Sequence, residues 1–176
     1  VGGQMPLALA APDKRQVEPV WSYRWAQVRS LGVPVRTGID ATVSAIQAYA
    51  PDFAVVATGA MPRPAPFDIA RIDTSIEVLH AWDVLAAPER IRKGAQVTIV
   101  GGGMVGMETA DLLVTRACRV TVIEALADLA QGMARNNRME LIERVSAAGA
   151  RLITQAMIVA AEGRNLSIRV GQESQV

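Results

Sequence analysis

Apolar positions recur at two different periods along this chain, and the change from one to the other organises it. Between residues 14 and 30, in "KRQVEPVWSYRWAQVRS", Val17, Val20, Trp21, Trp25 and Val28 stand at near-helical spacing. They predict an amphipathic helix. Its regular part should begin near Pro19, because proline is tolerated only in a first turn. "GVPVRTG" then reads as a short strand ending at Gly38. Thr42 offers a hydroxyl cap for a short helix running to Tyr49. The nearly unbroken apolar run from Phe53 to Thr58 predicts a strand covered on both faces, as in a parallel sheet.

Pro62, Pro64 and Pro66 follow within "MPRPAPF". Such a stretch is stiff and extended, and it is the best domain boundary in the sequence. Residues 68–95 are irregular apart from a short helix at about 81–87. From there the pattern is regular: strand 96–100, helix 104–115, strand 119–123, helix 135–148 and strand 151–154. Further strands are expected at 157–161 and 166–170. Strands alternating with helices predict an α/β fold with a Rossmann-like parallel sheet and flanking helices.

Composition narrows the function. Apolar residues make up 51% of the 176, enough for a packed core. The formal net charge is +1 and no basic stripe is visible, which argues against nucleic acid as a partner. No apolar run reaches the roughly 20 residues that span a bilayer, and no secretory leader pattern is present, so a cytoplasmic protein without a membrane partner is expected. The single cysteine, Cys118, cannot form a disulfide within this chain, and no metal-ligand cluster is expected. The opening "VGGQMPLALAAP" and the closing "SIRVGQESQV" read as cut ends of a larger protein, with a processed start as the alternative.

The candidate chemistry lies in "VTIVGGGMVGMETADLL", Val97 to Leu113. Gly101, Gly103 and Gly106 form G-x-G-x-x-G between a predicted strand, expected to be buried, and a predicted helix. Gly101 permits the tight turn, Gly103 lets a pyrophosphate approach the backbone, and Gly106 lets helix and strand pack closely. The first helical N–H groups lack internal partners and carry the positive end of the helix dipole, so they suit an anion. Gly102, Met104 and Val105 complete the expected contact stretch. Glu124 ends the next strand, "RVTVIE", at the spacing of about 20 residues expected for a carboxylate that accepts from adenosine ribose hydroxyls. Its charge would repel a 2′-phosphate, which favours NAD(H) over NADP(H). On the helix, Val105, Thr109, Leu112 and Leu113 are expected on one side, and Glu108, Asp111 and Thr115 on another.

These residues resemble a known family. "GGGMVGMETADLL" with "RVTVIE" is similar to the NAD-binding domain of flavoprotein pyridine-nucleotide oxidoreductases. "VGGQ", "PDFAVVATGAMPRPAPF" and "AWDVL" resemble the C-terminal region of long NADH:flavin oxidoreductases, the group of trimethylamine dehydrogenase and bacterial 2,4-dienoyl-CoA reductase. The resemblance implies that residues 1–66 are a partial FAD/ADP-type domain lacking its first βα unit. Residues 67–176 would be an NAD-type domain, truncated at its C-terminus. It further implies a FAD (or ADP) site lined by Gln4, Ala57, Thr58 and Gly59, and a place for Glu108 near the nicotinamide. FMN, an iron–sulfur cluster and a barrel domain would belong to the intact protein only. The first glycine fingerprint and a redox cysteine pair are missing, so stable FAD binding is not expected in this chain, and alone it should be inactive. Loss of a leading βα unit would leave a sheet edge that invites a homo-oligomer.

The remaining residues invite plainer readings. A solvated Glu108 in the first turn of the helix is the alternative, favoured by the helix dipole. His80 is expected to be exposed or a cap, and Cys118 to be buried filler. Trp21 and Trp25 read as core, or as a surface packed on a missing domain. Glu140 and Arg144 form an i, i+4 pair that should solvate a helix face. No residue is assigned as catalytic, because the cofactors would carry the chemistry. The leading expectation is the nucleotide-binding part of a flavin-dependent NADH oxidoreductase. The alternative is a non-catalytic ADP- or NAD-binding structural or regulatory module.

Overall fold

The computed structural model describes residues 2–171. Four helices precede the first strand: α1 (Met5–Ala8), α2 (Glu18–Ser30), α3 (Val43–Ala48) and α4 (Ala81–Ala86). An α/β unit follows, with β1 (Gln96–Val100), α5 (Met104–Thr115), β2 (Arg119–Ile123), α6 (Arg135–Ala147) and β3 (Arg151–Ile153). The chain then forms the hairpin β4 (Ala156–Glu162) and β5 (Asn165–Val170).

The three strands of the α/β unit are parallel in the order β1-β2-β3. Val97 pairs with Val120, and Val122 with Leu152. Parallel neighbours need a helical crossover, and α5 and α6 supply them. Met107, Ala110 and Leu113 of α5, Leu141 and Val145 of α6, and Ile99, Val120 and Val122 of the sheet make one buried core. Val84 of α4 joins it. Burying each of the larger of these side chains, the leucines, valines, Ile99 and Met107, stabilises the unit by roughly 1.5–3 kcal/mol. β1 is not fully buried as expected. Val97 and Ile99 face the core while Gln96, Thr98 and Val100 are exposed, since β1 is an edge strand with only one face under helices.

The hairpin forms a separate antiparallel pair with a register shift between Ile158 and Ala160. An isolated bridge between Ile72 and Gly163 ties the residues before α4 to it.

Residues 2–66 differ from their pattern. Helices α2 and α3 form, and Thr42 caps α3 by accepting from the Ala45 N–H at 3.2 Å. Pro19 stands in the first turn of α2, where its missing N–H has no helical partner to lose. The two predicted strands are absent. Residues 33–37 and 53–58 are irregular, and Phe53 and Val55 are 91% and 90% exposed. A strand exists only through a neighbour, and no described residue pairs with either run. α2 buries no residue fully, although the Trp21 ring lies so close over Gly2 that any side chain there would overlap it. No described helix is long and apolar enough to cross a membrane.

Candidate functional site

The site is the junction of β1, α5 and the loop after β2. Gly101 closes β1 with φ +101°, a left-handed value that glycine adopts without strain, and its N–H still donates to Ile123 O at 2.8 Å. Gly103 is the N-cap of α5, and a side-chain carbon there would meet nothing within 4 Å. Gly106 is the reverse case. A Cβ at that position would strike the carbonyl oxygen of Gly101. The first glycine thus makes the turn, the second faces open space, and the third allows the helix to touch the strand end.

Gly102 is held by side chains and main chain of the following loop. Its N–H donates to Glu124 Oε2 at 2.6 Å, and its carbonyl accepts from Ala130 N–H at 2.7 Å. A Cβ there would collide with Leu129 and the Glu124 side chain. Glu124 Oε1 accepts from Leu126 N–H at 2.8 Å. The loop from Glu124 to Ala134 therefore wraps the glycine turn. Arg138 of α6 fastens that loop, donating to Leu129 O at 2.7 Å and to Asp128 Oδ1 at 2.6 Å. Spacing gave no sign of Arg138, because its partners lie in an irregular segment.

Met104 and Val105 form the first turn of α5 and are exposed beside the glycines. Val105 is not on the buried side with Thr109 and Leu113. The covered face instead runs through Met107, Ala110 and Asp111, because α5 is covered by α6 and α4 as well as by the sheet. Asp111 is buried. Its side chain is 2% exposed and accepts two bonds from Arg144, at 2.9 and 2.7 Å. These bonds push the Arg144 guanidinium above its usual range. Glu140 lies farther from Arg144, at 3.5 Å, so the i, i+4 pair is the minor contact.

Glu108 falls in the second turn of α5 rather than the first. It is paired with Lys14 Nζ at 2.9 Å and is not a solvated residue. Lys14 was not legible in the sequence, since 94 positions separate the partners. In the other group, Gln4 Nε2 donates to Ala60 O at 3.4 Å, next to Gly59 with φ +74°. Ala57, Thr58 and Gly59 are exposed. The structure thus brings Gly101–Gly106 together with Glu124, and Gln4 together with Gly59 and Ala60. No described hydrogen bond joins the two groups. His80 is the exposed N-cap of α4, where its N–H donates to Asp83 at 3.3 Å, and Cys118 is buried.

The arrangement can receive an anion at the start of α5 and two hydroxyl donors at Glu124. Residues 27–175 match the pyridine nucleotide-disulphide oxidoreductase family. Over 151 residues the chain is 34% identical to an NADH oxidase of Thermoanaerobacter brockii, covering 85% of this chain and 23% of that protein. Over 160 residues it is 31% identical to a bilirubin reductase of Mediterraneibacter gnavus, covering 91% of this chain and 24% of that protein. The fold superposes on a 2-naphthoyl-CoA reductase with a TM-score of 0.77 at 21% identity, over 97% of this chain and 25% of the other. The chain therefore spans about a quarter of the proteins it matches. With a family match that runs through the glycine turn and Glu124, the chain belongs to the pyridine nucleotide-disulphide oxidoreductase family.

Proposed function

We propose that this chain docks NAD(H) for hydride transfer to a flavin within a larger NADH-dependent oxidoreductase. The observation that carries this reading is the contact between Glu124 and Gly102, which holds an acidic side chain at the lip of the glycine turn. Pyrophosphate would lie over Gly103, where the backbone is open, and accept from the free N–H groups of the first turn. Met104 and Val105 would flank it. The adenosine ribose would donate to Glu124. Glu108 would lie towards the nicotinamide while keeping its contact with Lys14. The bound nicotinamide supplies the hydride, and this chain supplies orientation and the exclusion of NADP(H).

In this reading residues 1–66 are part of a FAD/ADP-type domain, and residues 67–176 are most of an NAD-type domain. The Ile72–Gly163 bridge supports a boundary before Phe67, because it attaches the residues after the proline stretch to the hairpin. Gln4, Ala57, Thr58 and Gly59 would line the FAD site, a role supported by the Gln4–Ala60 contact. The finer resemblance to trimethylamine dehydrogenase and 2,4-dienoyl-CoA reductase adds FMN, an iron–sulfur cluster and a barrel domain in the intact protein; a homo-oligomer of this chain would instead follow from the sheet edge left by its missing first βα unit, and a cytoplasmic location from its composition.

The test is anaerobic addition of NADH to the full-length protein with its flavin bound. Bleaching of the flavin absorbance is expected. A protein that binds NADH while its flavin stays oxidised would instead be the non-catalytic nucleotide module.

A further inference from the structure

Two consecutive residues of the N-terminal segment, Asp13 and Lys14, meet α6 and α5, two positions after a buried alanine. Ala11 is 4% exposed. Lys14 Nζ lies 2.9 Å from Glu108 of α5, whose side chain is only 16% exposed. Asp13 Oδ2 lies 3.8 Å from Arg144 of α6, and Arg144 in turn holds Asp111 of α5. Two adjacent residues of opposite charge thus meet two adjacent helices, each at a side chain of complementary charge. Asp13 has φ +59°, a left-handed turn that aspartate tolerates better than most residues.

We propose that residues 11–14 are an electrostatic clamp that seats the N-terminal segment on the helix carrying the glycine turn, with Lys14–Glu108 as its main contact. The Asp13 pair is long and its carboxylate is 83% exposed, so it contributes little by itself. Beyond Ala11 the contact adds no fully buried apolar side chain from residues 2–17. α1 also packs on α4, with Met5, Leu7 and Leu9 half-buried, so charge holds the 11–14 end of the segment, and a change of charge should loosen that end without disturbing the core. The far end of the same segment meets the other group of candidate residues, through Gln4 and Ala60. Under the function proposed above, the clamp would fix the spacing of the two nucleotide groups. Its test needs no cofactor, so it stands or falls separately from that function.

Amide hydrogen exchange on the 176-residue chain is the test. Lys14→Glu places two carboxylates together and should speed exchange across residues 11–17 about five- to tenfold, with residues 96–123 unchanged. Glu108→Lys should do the same. The charge-swapped double variant Lys14→Glu/Glu108→Lys should recover most of the lost protection. Unchanged exchange in the single variants would overturn the clamp, as would failure of the swap to recover it. Equal loss of protection in residues 96–123 would also overturn it, since Lys14 would then support the whole α/β unit.

Discussion

The backbone N–H of Gly102 donates to Glu124 over 2.6 Å, so the carboxylate expected to hold a ribose is also a structural part of the glycine turn. Its other oxygen accepts from Leu126 N–H at 2.8 Å. A carboxylate offers about four acceptor positions, so about two remain for ribose hydroxyls. Under the proposed function, one side chain would couple the shape of the turn to the choice of cofactor.

Glu124→Ala should therefore act in two ways. It removes the acceptor for two main-chain donors, and charge-assisted bonds of this kind are worth roughly 1.5–3 kcal/mol each. The chain should lose stability in urea denaturation. NADH affinity should fall about tenfold or more, while NADPH affinity should change less, because the repelling charge is lost together with the acceptor. Fluorescence titration with both cofactors reads the difference. Equal changes for the two would remove the NAD(H) assignment.

The glycines separate packing from cofactor approach. Gly106→Ala puts a methyl group against Gly101 O, at the contact between α5 and the end of β1. Overpacking there should cost about 1–3 kcal/mol, read as a lower denaturation midpoint. Gly103→Ala meets nothing within 4 Å, and Gly103 has an ordinary φ of −64°. Its stability cost should stay within about 1 kcal/mol, the loss expected on placing alanine at an N-cap. Yet its methyl group would enter the open space where the proposed function puts the pyrophosphate, so nucleotide binding should weaken strongly. A Gly103→Ala variant that binds NADH normally would show that the phosphate lies elsewhere.

The contrast between local and distant contacts explains what could be read from the sequence. β1, α5 and β2 carry their own signals: an apolar strand, a glycine turn and a periodic helix. Their ends match the pattern, at Gln96–Val100, Met104–Thr115 and Arg119–Ile123. Phe53–Thr58 has an equally clear strand pattern and forms no strand, because pairing depends on a neighbour that a local pattern cannot report. Lys14 and Arg138 were invisible for the same reason. Glu140 and Arg144 were legible as a pair from their spacing, but the stronger partner, Asp111, sits on another helix.

That partner gives a stability prediction with a built-in asymmetry. Arg144→Ala leaves Asp111 buried, its side chain 2% exposed, without its cation. Breaking a buried pair in this way should cost about 3–5 kcal/mol. Asp111→Ala leaves an arginine that is 35% exposed and still near Glu140 and Asp13. Water can solvate it, so the cost should be smaller, about 1–3 kcal/mol. The sign of the pH dependence on the arginine side follows from its raised pKa. The contribution is complete below the ordinary arginine range and is lost only as pH rises through the still higher folded value, so neutral to mildly alkaline buffers should give the same ranking. Urea midpoints of the two variants measure the difference. Equal losses would mean that the burial of Asp111 is not what makes the pair matter.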